Sequence, residues 1–249
     1  MYRSWADFYQ SDAQSVYGLW IVPAWFLLYW LLSRPRGAGV EPRATRFMNV
    51  YAPLFTIESI IDPYATGPLL RRFGIEGDAA TYCMVPFVLL GDFRVFWLLF
   101  EVTAPEGGVL RAMLRAARWT LIVPIVAFGM LRGLEARYGA LPSASIWILY
   151  ELGFVAIALL LDFVVLPARF DLRQYEVQQY ARTLVRYVAL YYALWATADL
   201  LIVRRGADWA WALRVIPNQL YYAFWVPFAY LTFFSPRYSA NRRSTQRSR

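Results

Sequence analysis

The chain has 249 residues, of which 59% are hydrophobic, 18% are aromatic and only 17% are charged, with a formal net charge of +8. A soluble domain carries about 25% charged residues, because most of its surface faces water. The composition therefore excludes an ordinary soluble domain. The apolar residues form long blocks between short arginine-containing stretches, which predicts helices that contact a lipid bilayer.

The basic residues are all arginine and lie mainly between the apolar blocks. That placement is typical of orientation signals in membrane proteins. A nucleic-acid partner is therefore not predicted, despite the positive net charge.

The absence of histidine and lysine and the presence of a single cysteine limit the chemistry that the chain can perform. The chain has no histidine, which excludes haem or zinc held by histidine, and no lysine, which excludes a retinal Schiff base. Cys83 is the single cysteine, so an intrachain disulfide is excluded. The sequence names no cofactor and predicts no metal site, and any reaction must use carboxylates, arginine, hydroxyls, amides or backbone groups.

In chain order, seven apolar segments predict an all-α, polytopic integral membrane protein with a seven-helix bundle. A span needs about 20 residues at 1.5 Å each. The fourth segment is the shortest, which leaves open whether it spans fully. The predicted segments are Ser15–Leu32, Phe47–Leu70, Ala79–Glu101, Arg118–Leu131, Ser145–Leu166, Leu184–Val203 and Trp209–Phe234.

The distribution of arginine predicts the orientation. With the N-terminus outside, 16 of the 25 arginines fall in cytoplasmic stretches and eight fall outside. Asp7 and Asp12 precede the first segment, which is unlike the basic start of a signal peptide. The sequence thus predicts a multi-pass inner-membrane protein with an extracytoplasmic N-terminus (1–14), a transmembrane domain (15–234) and a basic, disordered cytoplasmic tail (235–249).

Several charged residues fall inside the predicted spans. Each costs about 2.5–3.5 kcal/mol on insertion scales, so such groups usually face a cavity or a partner. Glu58 and Asp62 are four residues apart and share one side of the second segment. Asp92 and Arg94 lie in the middle of the third segment, and Glu151 lies in the fifth.

These charges also have structural interpretations. Pro63 and Pro68 could end the second helix and leave Asp62 in an exposed turn. Arg94 could form a buried ion pair with Asp92 or Glu58 that fixes the helix packing.

Two further acids lie towards the ends of spans. Asp162, near the cytoplasmic end of the fifth segment, is expected to be solvated. Asp199, near the outer end of the sixth, could pair with Arg204 or Arg205.

The seventh segment contains polar residues within a long apolar stretch. Asn218, Gln219 and Tyr222 follow Pro217, and they either hold helices together or line a site. Pro217 and Pro227 would leave backbone carbonyls free to coordinate a ligand or cation.

The leading hypothesis is a transport or ligand-binding protein with an outward-facing acidic pocket for a proton, a cation or an amine. One alternative is a membrane enzyme acting on a lipid or isoprenoid, with Glu58 and Asp92 as an acid–base pair. Another is a non-catalytic subunit that pairs with other membrane proteins. Topology alone does not decide among them. The predicted pocket consists of Glu58, Asp62, Asp92, Arg94, Glu151, Asn218, Gln219 and Tyr222.

Overall fold

The computed structural model describes residues 2–33, 43–103, 108–142, 144–169 and 175–235. These residues form helices joined by short connections, and they contain no strand. The all-α fold class is therefore confirmed. The predicted disordered tail lies outside the described residues apart from Ser235.

One short helix precedes seven long ones in the described ranges. The helices are α1 (Trp5–Tyr9), α2 (Ala13–Ser33), α3 (Arg43–Tyr64, continued by Ala65–Leu69 and Leu70–Arg72), α4 (Gly77–Thr103), α5 (Val109–Tyr138), α6 (Ser145–Leu160, continued by Leu161–Val165 and Leu166–Arg169), α7 (Tyr175–Arg205) and α8 (Trp209–Asn218, continued by Gln219–Phe224 and Trp225–Phe234).

Four of these helices contain a wider, π-helical stretch in which the backbone hydrogen bonds span five residues rather than four. Such stretches are often found at functional sites, because they redirect carbonyl groups and side chains. The four stretches are Ala13–Tyr17, Ala65–Leu69, Leu161–Val165 and Gln219–Phe224.

Five helices are long and apolar enough to cross a membrane: α2, α4, α5, α6 and α7. The fourth predicted segment lies in α5, which has 30 residues and is about 45 Å long, more than the hydrocarbon core of about 30 Å. The two remaining long helices, α3 and α8, contain the acids and amides noted above, which lower their mean hydropathy.

The outer surface of the bundle is apolar. Large side chains that lie more than half exposed include Trp25, Leu32, Ile125 and Phe163. Soluble monomers rarely expose apolar patches of such extent, whereas lipid chains contact them without penalty. Together with the five apolar helices of the described ranges, this surface indicates a membrane protein.

The seven long helices form a closed bundle. Each one packs against the next in the sequence, and the C-terminal part of α8 returns to pack against α2 and α3. In addition, α4 packs against α7 across the middle of the bundle. Residues near the centre of α4 are therefore within reach of helices from both sides.

Ion pairs join neighbouring helices at the end of the bundle opposite α1. Asp162 on α6 accepts hydrogen bonds from Arg182 Nε at 2.6 Å and Arg186 Nε at 2.8 Å, both on α7. Arg43 on α3 binds Glu101 on α4, with Nε 2.8 Å from Oε1. The expectation that Asp162 is solvated is wrong, because it is 3% exposed and two arginines from the neighbouring helix cover it.

Candidate functional site

Arg94 lies near the middle of α4 and is fully buried. Its Nη1 donates to Glu58 Oε2 and to Ser59 Oγ on α3, each at 2.7 Å. Its Nη2 donates to the carbonyl oxygen of Tyr221 on α8 at 2.7 Å, and the guanidinium carbon lies 4.7 Å from the centroid of the Tyr221 ring. These four residues, named here the Arg94 cluster, join three helices through charge-assisted hydrogen bonds.

The π-helical stretch of α8 supplies backbone acceptors to this region. The carbonyl of Tyr221 binds Arg94, and the carbonyl of Leu220 accepts from the hydroxyl of Tyr187 on α7 at 2.9 Å. Carbonyls were expected to be freed here for a ligand or cation. These two instead bind side chains of the protein itself.

Asp92 points away from Arg94, because residues two apart on a helix do not share a side. Its carboxylate accepts hydrogen bonds from the hydroxyls of Tyr150 on α6 and Tyr192 on α7, and it is 1% exposed. Of the two partners considered for Arg94, the structure therefore gives Glu58. Glu58, on α3, contacts the side of α4 that carries Arg94, whereas Asp92 lies on another side of α4. The two carboxyl groups therefore have different partners.

Asp62 lies within a continuous helix, and its side chain is buried. The backbone of α3 continues through Pro63 and the π-helical stretch Ala65–Leu69. Asp62 is 1% exposed, and its Oδ1 accepts from Thr66 Oγ1 at 3.2 Å. The interpretation of Asp62 as an exposed turn residue is therefore wrong.

A second group of buried charges lies between α6, α7 and α8. Glu151 and Asp199 are 5% and 4% exposed, and their carboxyl groups are hydrogen-bonded to each other, which requires a proton between them. Arg214 Nε lies 2.9 Å from Asp199 Oδ1. Asp199 therefore pairs with Arg214 and not with the arginines at the end of α7. We name Glu151, Asp199 and Arg214 the Glu151 cluster.

The arginine of this cluster is already engaged. Its guanidinium carbon lies 5.2 Å from the centroid of the Tyr9 ring and 5.4 Å from that of Trp211, in addition to the ion pair with Asp199. Glu151 Oε2 has no hydrogen-bond partner among the residues that the structure describes. With the proton that Glu151 and Asp199 share, the three groups have no net charge. Loss of that proton leaves a net charge of −1, with an unpartnered oxygen on Glu151.

A cavity of about 320 Å³ adjoins the Glu151 cluster. Seven of its twelve lining residues are aromatic, and the others include the charged groups of Glu151 and Arg214. Aromatic rings and a carboxyl group around a partly open cavity are features that attract cations. The aromatic lining residues are Tyr9, Trp147, Tyr150, Tyr192, Trp195, Tyr221 and Tyr222.

The short helix α1 completes one wall of this cavity. The backbone N–H groups of Trp5 and Ala6 donate to the carboxylate of Asp208 at 3.0 and 3.2 Å, which holds the start of α1 beside the start of α8. The hydroxyl of Tyr9 donates to Asn218 Oδ1 at 3.3 Å. The N-terminal segment therefore contributes directly to the cavity.

The structure brings together only part of the predicted pocket. Glu151, Asn218 and Tyr222 line the cavity. Five other predicted residues do not line it. Glu58 and Arg94 belong to the Arg94 cluster, Asp62 binds Thr66, and Asp92 binds two tyrosines. Gln219 Nε2 donates to the carbonyl of Gly18, which joins α8 to α2.

Of the aromatic residues of the cavity, the sequence predicted only Tyr222, although the spacing of others could have indicated them. Trp147 lies four residues before Glu151, and Tyr192 lies three before Trp195. Residues three or four apart share one side of a helix. The first pair therefore predicts a tryptophan beside an acid, and the second predicts two aromatic side chains on one side of their helix.

No three carboxylates or thiols come together as a metal site in the described ranges. The oxygen atoms that could contact a cation in the cavity are those of Glu151, Asn218 and the tyrosine hydroxyls.

The fold and the cavity define the chain as a helical membrane protein with an aromatic, acidic cavity among its helices. Comparison with protein-family models, with curated proteins and with solved structures finds no match to this chain.

Proposed function

We propose that this protein binds a small organic cation, of the amine or ammonium type, in the cavity beside Glu151, as a transport or ligand-binding protein. The observation that carries the proposal is the Glu151 carboxylate, which is buried and lines an aromatic cavity with one oxygen unpartnered. A bound cation would replace the proton that Glu151 shares with Asp199, and it would balance the charge that Glu151 then carries in a low-dielectric site.

The walls of the cavity favour the same type of ligand. Rings of tyrosine and tryptophan attract a cation by about 0.5–2 kcal/mol each when it lies over the ring face. Asp199 already balances the charge of Arg214, at 2.9 Å, so this arginine does not cancel the charge of Glu151. An anion would meet the unpartnered carboxylate and is disfavoured.

The proposal includes seven spans, with the N-terminus outside and the C-terminus in the cytoplasm of a cell with an inner membrane. The packing of α3 and α8 as full members of the closed bundle supports seven spans, because their polar residues contact neighbouring helices rather than lipid. Under this topology α1 and the cavity lie towards the outer side.

The topology can be tested with a reporter that is active only in the cytoplasm. Fused after Arg249 it should be active, and fused before Met1 it should be inactive, as the distribution of arginine predicts. Equal signals at both ends would require an even number of spans, and the reverse pattern would overturn the orientation.

Binding can be tested with purified protein in lipid nanodiscs. The protein is titrated with ammonium and with its methylated derivatives, up to tetramethylammonium. The readout is tryptophan fluorescence, because Trp147 and Trp195 line the cavity. At least one ion should bind. Glu151→Gln should weaken that binding about 10- to 100-fold, because it removes the charge and keeps the shape of the side chain.

The matched control is Glu76→Gln, which removes an acid from an exposed loop and should leave binding unchanged. If none of the ions binds, or if Glu151→Gln binds as well as the unaltered protein, the proposal is wrong. Co-purification of a second protein in fixed stoichiometry, with no ion binding, would favour the subunit hypothesis.

A further inference from the structure

We infer that the ligand is an amphiphile whose methylated ammonium head occupies the cavity beside Glu151 and whose alkyl chain lies in an apolar groove on the lipid-facing surface. This inference rests on the proposed function and specifies the ligand of the same site. Three observations carry it: the aromatic rings that make up most of the cavity lining, the neighbouring groove, and the side chains that the two spaces share.

The first observation concerns hydrogen bonding in the cavity. A primary ammonium has three N–H donors, and each needs an acceptor when it is buried. Among the lining residues, the buried side-chain oxygen without a hydrogen-bond partner is Glu151 Oε2, whereas seven of the twelve residues present aromatic rings. A quaternary ammonium has no donor to satisfy, and aromatic rings bind its methyl groups well. The cavity therefore favours a methylated head.

The second observation is a groove of about 450 Å³ between α4, α5 and α6. Its lining is almost entirely apolar, and it lies on the outer surface of the bundle, where Ile125 is 67% and Phe128 is 53% exposed. In a membrane this surface contacts lipid chains, so the occupant that fits the groove is an alkyl chain.

The third observation is that the two spaces adjoin. Val88, Trp147 and Tyr150 line both the cavity and the groove. These shared side chains form the boundary between the cavity and the groove. A molecule with a cationic head and an apolar chain would therefore place the head at Glu151 and the chain in the groove, passing beside Val88 and Trp147.

The test compares tetramethylammonium with decyltrimethylammonium and methylammonium, titrated into the protein in nanodiscs. Tetramethylammonium should bind more tightly than methylammonium. Decyltrimethylammonium should bind more tightly still, by up to about fourfold for each methylene that leaves water. Partition into the bilayer also contributes to that gain, so the decisive comparison is between two variants of α5.

Leu121 lines the groove and is 45% exposed, whereas Ile122 is 43% exposed and does not line it. Leu121→Trp should fill the groove and weaken decyltrimethylammonium binding about tenfold or more, with little effect on tetramethylammonium. Ile122→Trp is the matched control and should leave both affinities unchanged.

Three results would overturn the inference while leaving the proposed function intact. The first is equal affinity of both tryptophan variants for decyltrimethylammonium. The second is tighter binding of methylammonium than of tetramethylammonium. The third is Glu151-dependent binding of small ions in which the alkyl chain adds nothing beyond partition. Absence of any Glu151-dependent binding would instead overturn the proposed function itself.

Discussion

The Arg94 cluster and the Glu151 cluster each combine an arginine with at least one buried or nearly buried carboxyl group. In the Arg94 cluster the guanidinium group forms three contacts of 2.7 Å that join three helices. In the Glu151 cluster the arginine is 23% exposed and pairs with Asp199. Glu58 and Glu151 each have one oxygen without a hydrogen-bond partner, but only Glu151 lies at the wall of the cavity. That cavity reaches Glu151 but is not lined by Arg94 or Glu58.

The difference between the clusters shows that a buried charge does not identify a binding site without adjoining space. A charged group surrounded by protein partners fixes the packing of helices, and its removal leaves those partners unpaired. A charged group beside a cavity can exchange a proton for a ligand. The Arg94 cluster is therefore expected to stabilise the fold, and the Glu151 cluster is the one that the proposed ligand would contact.

The largest effect is expected for Arg94→Leu. The change leaves Glu58 buried beside Ser59 without its cation, so the free energy of unfolding should fall by about 3–5 kcal/mol. Denaturant titration of the purified protein measures this change. Arg132→Leu is the control, because Arg132 is 68% exposed and its pair with Glu135 should contribute at most about 1 kcal/mol. Equal stability of the two variants would contradict the structural role of Arg94.

An intermediate effect is expected for Gly91→Ala, which tests the packing beside the Arg94 cluster. A Cβ at this position would lie 1.7 Å from the hydroxyl oxygen of Tyr221 and 2.6 Å from its ring carbon. The cost of such overpacking is about 1–3 kcal/mol. The control Gly129→Ala meets no atom within 4 Å and should not reduce stability. Adding Tyr221→Phe to Gly91→Ala should restore only part of the loss, because the ring carbon remains too close.

The smallest effect on stability is expected for Glu151→Gln, the variant that should lose binding. Arg214 keeps its pair with Asp199, and glutamine can donate to Asp199 in place of the shared proton. The free energy of unfolding should therefore change by less than about 1 kcal/mol. Glu58→Gln, which removes the ionic partner of Arg94, should cost more. If Glu151→Gln lowers the free energy of unfolding more than Glu58→Gln does, the Glu151 cluster is the one that stabilises the fold, and the proposed roles of the two clusters are wrong.

The sequence predicted the helices well but their lengths less well. All seven apolar segments coincide with long helices, because hydropathy over about 20 residues is a strong signal. The fourth segment was predicted to begin at Arg118 and end at Leu131, whereas the helix runs from Val109 to Tyr138 and includes the arginines at 111, 115 and 118. They lie in the first turns of α5, where long arginine side chains can reach the interface.

The predicted site was less complete than the predicted helices. Glu151, Asn218 and Tyr222 were selected because polar groups inside spans are costly, and they line the cavity. The same argument also selected Arg94 and Asp92, which bind other side chains. Cost of burial identifies polar groups that need a partner, but it does not tell whether the partner is the protein or a ligand.

The sequence by itself determined the all-helical fold, the lipid-facing surface and the set of costly buried charges, because each of these depends on composition and on short-range spacing. Only the tertiary structure decided which charges are paired and where space remains. Asp199 meets Arg214 and Arg94 meets Glu58 across different helices. Such contacts depend on the rotation of each helix about its axis, which is set by side-chain packing across the whole bundle and not by any local pattern.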